Sequence, residues 1–551
     1  MVDLVSGERL TAVVGELSRR TKHAGTSEEL ESLRWVEQEI ASYGYATELL
    51  LHDAYISLPG RARLELDGES LPCITHSFSR PSPLDGIAAE LVDGLAGDVA
   101  GRVVLLDGIA NPAASVVARQ RGAAAQVHVS PHEHLHEMCI SPVWGSPDDL
   151  RLAELPSTVV VTVPQSVGAR LRRATPASVR VFAEVDTGWR PTPILVAELS
   201  GPAGREDEPF VLFSGHHDTW HYGAMDNGGA NATMLEVARV SALGRDRWQR
   251  GLRIVFWSGH SQGRYSSSAW YADHHWEELE ARAVAHVNVD STGGRGNTVV
   301  SDTTAAGELR ALAREALAAQ AGQDFSGRRM ARAGDQSFWG IGVPSIFGNM
   351  GEQPADAGEP NAMGAVFGAE ARVGAGTGWW WHTPDDTLDK IDPELLVRDT
   401  RIYQHVVWRL LASPVPPLDY AETARDLVHT LGERAEAVGD GLDLSVCIAR
   451  ARDLAERAER FAAAAVDDPA AAAECLRRVS RAIVPVDYAE GDRFAHDPAL
   501  SQEQLPALAD AARLGLADEP RFLASRLVRS AARVAFALRQ AVEAFDDYLG
   551  R

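Results

Sequence analysis

The stretch FSGHHDTWHYGAMDNGGANATMLEVAR, Phe213 to Arg239, decides how this chain is read. It begins inside an apolar run, 210–214, with the texture of a buried strand. His216, His217 and Asp218 follow at the strand's end. A loop with Asp226, Asn227 and paired glycines comes next, then a helical pattern from residue 230 onward. Polar side chains at the carboxyl end of a strand, just ahead of a helix, stand where open α/β sheets build their sites. His and Asp are also ligand types for zinc and similar divalent ions.

The flanking sequence repeats the pattern. Strand candidates at 194–199, 209–214, 252–257, 283–289, 298–301 and 344–347 alternate with helical patterns at 230–243, 266–275, 305–319 and 393–411. Such alternation implies an α/β fold, a sheet covered by helices on both faces. Upstream, 6–43 reads as two amphipathic helices, the second starting near Thr26 and Ser27 with Glu29 following. Residues 46–51 alternate as a strand.

Between 57 and 185 the texture changes. Short β patterns at 62–66, 101–106, 125–129, 158–163 and 179–185 surround one helical pattern at 113–121, as expected of a compact β-rich domain inserted into a larger one. From Pro414 the composition shifts to Ala, Leu, Arg and Glu with helical periodicity, interrupted at 484–500, which predicts a helical domain. The expected division is therefore 1–56 with 187–412 for the α/β domain, 57–186 for the insert and 413–551 for the helices.

A chain of 551 residues exceeds one ordinary core. Hydrophobic residues at 45% and charged residues at 24% are ordinary for a globular protein. The net charge of -24, from 53 basic and 77 acidic side chains, argues against a general nucleic-acid or anionic-membrane binder. Cys73, Cys139, Cys447 and Cys475 are too scattered for a metal knuckle or redox pair. Buried free thiols suit a reducing compartment. The first residues read as a helix rather than a secretory signal, and no run approaches the ~20 apolar residues of a membrane span, so a cytoplasmic location is expected.

Two further segments carry chemistry-bearing residues. His132-Glu133-His134-Leu135-His136-Glu137 lacks the HExxH spacing, and a solvated or pocket-rim loop is the preferred reading over a metal site. The Gly-rich stretch 348–381 ends in Trp379, Trp380 and Trp381, which either pack beneath it or line a pocket.

Four pieces join the opening stretch: 252–268 with His260 and Ser261, His286 to Asp290, Gly334 to Phe338 with Asp335, and His382 to Thr387. In this order they resemble the co-catalytic zinc aminopeptidase family. The similarity is closer to its three-domain branch, which includes glutamate carboxypeptidase II and the transferrin receptor. The resemblance implies that 57–186 is a protease-associated domain and that the terminal helices form a homodimer. It implies His216, Asp226 and Asp290 as ligands of one ion, with Asp226 bridging to a second ion held by His382. It also implies Asp218 as the acid that orients His216.

The departure lies at His260-Ser261, where the family carries two adjacent glutamates, a general base and a ligand of the second metal. Three arrangements remain open. His260 coordinates the second ion beside His382 and Asp226; His260 is the base; or one ion alone is held by His216, Asp226 and Asp290. Zinc is the expected ion, and manganese and iron suit the same donors. His217 and His221 lie near the site in sequence, whereas His274 and His275 fall on a helix outside it. Arg264 either receives a substrate carboxylate or pairs with a structural acid.

The expectation is a metal-dependent hydrolase of an amide or peptide-type C–N bond, acting on a small-molecule or peptide substrate through a metal-activated water. Asp218 and His260 are its expected catalytic residues. The alternative is a non-catalytic dimeric binding protein on the same fold.

Overall fold

The computed structural model of the chain describes residues 1–205, 207–357, 374–516 and 519–550. Helices α1 (Gly7–Leu17) and α2 (Ser27–Ala41) lead into the long strand β1 (Ala46–Leu66). The Thr26 side chain caps α2 by accepting from the Glu29 N–H. The short strands β2 (Glu69–Leu71) and β3 (Ile74–Thr75) follow, then β4 (Ile87–Asp93), β5 (Val103–Asp107), α3 (Pro112–Gln120), β6 (Ala125–Val129), β7 (Val159–Val163) and α4 (Gln165–Ala174). A second long strand, β8 (Ala177–Leu199), returns the chain to β9 (Phe210–His216), α5 (Ala230–Ala242), β10 (Gly251–Trp257), α6 (Ser266–His274), α7 (Trp276–Arg282), β11 (Ala283–Asn288), α8 (Arg310–Ala321), β12 (Ser345–Ile346) and α9 (Pro393–Ala412). Four helices close the chain: α10 (Tyr420–Val438), α11 (Ser445–Ala463), α12 (Pro469–Tyr488) and α13 (Pro520–Leu549).

The strands run β12-β11-β9-β10-β8-β4-β5-β6-β7-β3 in one mixed sheet. β9 and β10 are parallel, central and buried along their whole length, which accounts for their near-continuous apolar sequences. Successive side chains alternate between faces. Val211, Phe213, Ile254 and Phe256 join a core with α1, α2, α5 and α9, while Phe210, Leu212, Val255 and Trp257 join another with α6 and α7. The expected two-sided covering is thus present.

β1 and β8 pair antiparallel from Ala46↔Glu198 to Leu66↔Val179. The separate strands expected at 46–51 and 62–66 are one strand, and the expected boundaries at 56/57 and 186/187 fall inside β1 and β8. Beyond them the insert has its own core, from Leu64, Leu91, Val103, Val127, Val161 and neighbours. Residues 298–301 do not form a strand; Val299 makes a single bridge to Glu352. The expected break at 484 comes later, because α12 carries Pro485 inside and runs to Tyr488. In the terminal region α12 packs on α13, α10 on α11 and α11 on α13. Arg481 of α12 fastens this region to the sheet, donating to the carbonyls of Leu279, Glu280, Ala283 and Gly342 at 2.6–3.0 Å.

Candidate active site

β9 delivers His216 to the carboxyl edge of the sheet. Its Nδ1–H donates to the backbone carbonyl of Asp218 at 2.8 Å, which leaves Nε2 as an acceptor. That Nε2 lies 3.1 Å from Asp226 Oδ1 and 3.5 Å from Asp290 Oδ1. Neither His216 Nε2 nor Asp226 Oδ1 has a hydrogen-bond partner, although both are buried. His382 repeats the arrangement: its Nδ1–H donates to the Glu137 carbonyl at 2.7 Å, and Nε2 faces Asp226 Oδ2 at 3.1 Å. Asp226 therefore stands between two imidazole lone pairs. Acceptors facing acceptors in a buried site are costly unless a cation lies among them. Burial would push the His216 imidazole down, but the Asp290 and Asp226 carboxylates outweigh it and hold it well above its usual range. The field favours positive charge, and the donor set fits a divalent metal.

Backbone contacts hold these side chains in place. The Asp386 carboxylate accepts the N–H groups of Met225 and Asp226 at 2.9 and 3.0 Å, and burial pushes Asp386 up to about 7. Asn231 donates to the carbonyls of His216 and Asn227, and Asn227 accepts the N–H of Ser291, next to Asp290. The start of α5 approaches this last loop closely. A Cβ at Gly229 would stand 2.3 Å from the Thr292 carbonyl oxygen, so only glycine fits.

Asp218 does not act as the resemblance implied. Its carboxylate lies 3.9 Å from His216 Nδ1 and instead accepts the backbone N–H groups of His260 at 3.2 Å and Ser261 at 2.8 Å. It orients His216 through its carbonyl and the next loop through its carboxylate. Ser261 is buried at the position where a second carboxylate was expected.

His260 is held by Asp335. Its Nδ1–H donates to Asp335 Oδ2 at 2.7 Å, while Asp335 Oδ1 accepts the Ser268 hydroxyl at 2.8 Å. Burial would raise Asp335, but His260 and then His216 and Ser268 hold it below its ordinary value. The His260 ring stacks on His216, 3.8 Å between centroids and 16° from parallel. His216, His260 and Asp290 offer ligand-type atoms within 4.8 Å of one another. Imidazole lone pairs lie in the ring plane, so an ion bound in the plane of one stacked ring falls well outside the plane of the other. In this arrangement His260 does not share an ion with His216.

The remaining expected residues are placed as follows. His217 turns away onto Asn231 Oδ1 and burial pushes it down to about 3. His221 stands 3.9 Å from Glu137. His274 bonds the Trp270 carbonyl on α6, away from the site. Arg264 lines the cavity, but its guanidinium donates to the Cys139 carbonyl and lies near the Tyr265 ring, 5.6 Å from its centroid. Trp381 lines the cavity; Trp379 and Trp380 pack against the core, whereas 358–373 of the preceding loop lie outside the described residues. In the 132–137 segment, expected as a solvated or pocket-rim loop, His132 and His136 are buried, whereas Glu133 is exposed.

Sequence reasoning missed the support beneath the site. Lys22 is fully buried and its ammonium donates to the Leu17 carbonyl at 2.8 Å. Burial lowers it to about 8, opposed by Asp386, Glu29 and Asp218. No local pattern marks such a lysine.

The four polar ends Asp226, His260, Asp290 and His382 open into a cavity of about 450 Å³. Met138 of the insert and Leu500 of the terminal region contribute to its wall.

Residues 195–407 match the sequence model of Peptidase family M28. The strands and helices that carry the site thus lie in the part of the chain that is similar to Peptidase family M28. A probable glutamate carboxypeptidase of Zea mays is 31% identical over 100 residues, 17% of this chain and 14% of that protein. Carboxypeptidase Q of Bos taurus is 40% identical over 82 residues, 14% of this chain and 17% of that protein. The chain thus spans under a fifth of these relatives' lengths. A zinc aminopeptidase of Bacillus subtilis has the same fold, with a TM-score of 0.56 at 19% identity over 74% of this chain and 96% of that one. Among the described residues, no helix is long and apolar enough to cross a membrane.

Proposed function

We propose that this chain is a metal-dependent peptidase or amidase that cleaves a C–N bond of a small or peptide substrate. The observation that carries the reading is the set of unpartnered acceptors, His216 Nε2 and Asp226 Oδ1, facing each other beside the cavity that Asp226, Asp290 and His382 line. His216, Asp226 and Asp290 are the residues that would hold one ion tightly. His382 and Asp226 would hold another more weakly, because Ser261 supplies no carboxylate. Zinc is favoured, and manganese or iron suits the same donors. A divalent ion bound here would supply Lewis acidity, polarising a carbonyl and making water more acidic.

The chain's own residues do the rest. Asp335 holds the His260 proton at Nδ1, so Nε2 is left free to accept a proton from water. His260 is then the general base, in place of the family's glutamate. Asp218 fixes the 260–261 backbone. Arg264 shapes the cavity wall, and its spare guanidinium edge is the candidate for a substrate carboxylate. The comparisons lend no support to a non-catalytic role.

We extend the proposal to assembly: 57–186 is a protease-associated-type insert, and α10–α13 serve a homodimer. Exposed Phe522 and Phe536 on α13 supply an apolar face for it. A monomer by light scattering at micromolar concentration would reject the dimer. The reaction is tested by metal analysis of protein purified without chelators, followed by stripping and zinc add-back against aminoacyl and peptide amides. Metal-free protein with no turnover after zinc addition would reject it.

A further inference from the structure

The segment His132 to Glu137 takes no part in the reaction proposed above, yet it is seated against the loop that carries His382. The His134 ring stacks on Trp379, 4.0 Å between centroids. Its neighbours form a chain whose protons can be placed one after another. The His134 N–H donates to His132 Nδ1 at 3.2 Å, so the His132 ring carries its proton on Nε2. That proton points to His136 Nε2, 3.2 Å away, which is therefore the acceptor. The His136 proton is left on Nδ1 and donates to the Trp381 carbonyl at 2.5 Å. Burial, first, and the neighbouring His132, second, push His136 down to about 3, in keeping with a neutral ring. Both nitrogens of the His132 and His136 rings are thus engaged by protein partners.

One residue further on, the contact becomes reciprocal. The Glu137 N–H donates to the His382 carbonyl at 3.0 Å, and His382 Nδ1–H donates back to the Glu137 carbonyl at 2.7 Å. His382 has φ +59°, a left-handed conformation uncommon for a residue with a Cβ. Such a conformation persists where its surroundings over-determine it. Here the Trp381 carbonyl, the His382 carbonyl and the His382 ring are all fixed by one segment, and the Trp381 ring stacks on His382 at 3.6 Å.

We infer that the 132–137 segment positions the second metal site, with His136 as the positioning residue that sets His382 through the Trp381 carbonyl. The segment fixes the tautomer and rotation of His382, so that Nε2 is presented to Asp226. A group hydrogen-bonded to a ligand, as the Glu137 carbonyl is to the His382 ring, typically contributes 10–100-fold to metal affinity, and His136 acts one step further out. The inference rests on the metal-site reading given above. It adds that a part of the chain about 245 residues away in sequence governs the weaker ion.

The test is zinc titration of the purified, chelator-stripped full chain against a competing chelating dye, resolving the two equivalents. His136→Phe keeps a ring but cannot donate to Trp381; His136→Gln restores an N–H. The second equivalent should weaken several-fold, up to about 10-fold, in His136→Phe and recover largely in His136→Gln. The first equivalent and the unfolding temperature of the stripped protein should stay as in the wild type. Unchanged second-site affinity in His136→Phe overturns the inference. So does an equal loss in both variants with a lowered unfolding temperature, which would mark a packing role. If His136→Phe does not fold, His132→Phe takes its place, with a smaller weakening expected and an unchanged second equivalent again overturning the idea. A wild-type protein that takes up one zinc but no second defeats the second-site reading, before any variant is compared, whereas one that takes up none defeats the metal-site reading as a whole.

Discussion

The imidazoles of His216 and His260 lie face to face, 3.8 Å apart between centroids and 16° from parallel. This stacking separates their work: the in-plane lone pair of His216 meets Asp226 and Asp290, while the His260 ring is turned by Asp335 to offer its own nitrogen elsewhere. His260→Ala is therefore expected to keep the first zinc equivalent and to lose turnover by ~100-fold or more, the scale of general-base catalysis. Metal analysis beside steady-state rates checks this. Replacing His260 and Ser261 together by Glu should strengthen the second equivalent. Full turnover in His260→Ala would exclude the base.

The ligands proper should behave differently. His216→Ala and Asp290→Ala are each expected to abolish retention of the tight ion through gel filtration, and activity with it. Asp226→Ala should lose both equivalents, because its two oxygens face both imidazoles. Retention of one equivalent by Asp226→Ala would show that the carboxylate does not bridge.

Glu308 gives a pH dependence of stability far from the chemistry. It is buried, accepts the Thr423 hydroxyl at 2.8 Å, and burial pushes it up from 4.5 to about 7. Below pH 4.5 its carboxyl is protonated both folded and unfolded, and the site carries no penalty. As pH rises through 7 the folded protein must ionise it in a dry place, so this contribution to stability is lost. Glu308→Gln should be more stable than the wild type by about 1–3 kcal/mol near pH 8, the gain shrinking on acidification. Denaturant titrations across that range measure it.

Arg481 offers a test of how the terminal helices are attached. Its guanidinium satisfies four carbonyls around α7 and the start of β11. Arg481→Met keeps most of the volume and strands those acceptors. A loss of about 3–5 kcal/mol, seen as a lowered denaturant midpoint, is expected. A loss below about 1 kcal/mol would mean that water replaces the guanidinium.

Much of this was legible beforehand, and the particular residues show why. His216, Asp226, Asp290 and His382 each follow a strand or precede a helix, and local pattern alone puts such residues at one edge of a sheet. The α/β alternation marked the sheet and its covering helices. The β-branched run at 298–301 misled, because propensity does not say whether a partner strand lies alongside. Pro485 misled in the opposite direction, since its surroundings carry the helix past it. Asp386 lay within a recognised motif, but its task of receiving two amides is set by loop shape. Lys22 and the 132–137 segment act on residues some 200 positions away in sequence, and no periodicity reports such a meeting.

The two long strands have a mechanical meaning. β1 and β8 run 21 and 23 residues, each on the order of 70 Å, and together they join the part of the sheet that holds β9 and β10 to the separate core of the 57–186 region. The register between them breaks between Pro59 and Ala62. There a Cβ on Gly60 would press to 2.9 Å from the Glu184 carbonyl oxygen. Elsewhere the ladder is continuous, and bending it means breaking bonds in both strands together. The one interruption of the ladder joining the two regions is thus this short stretch.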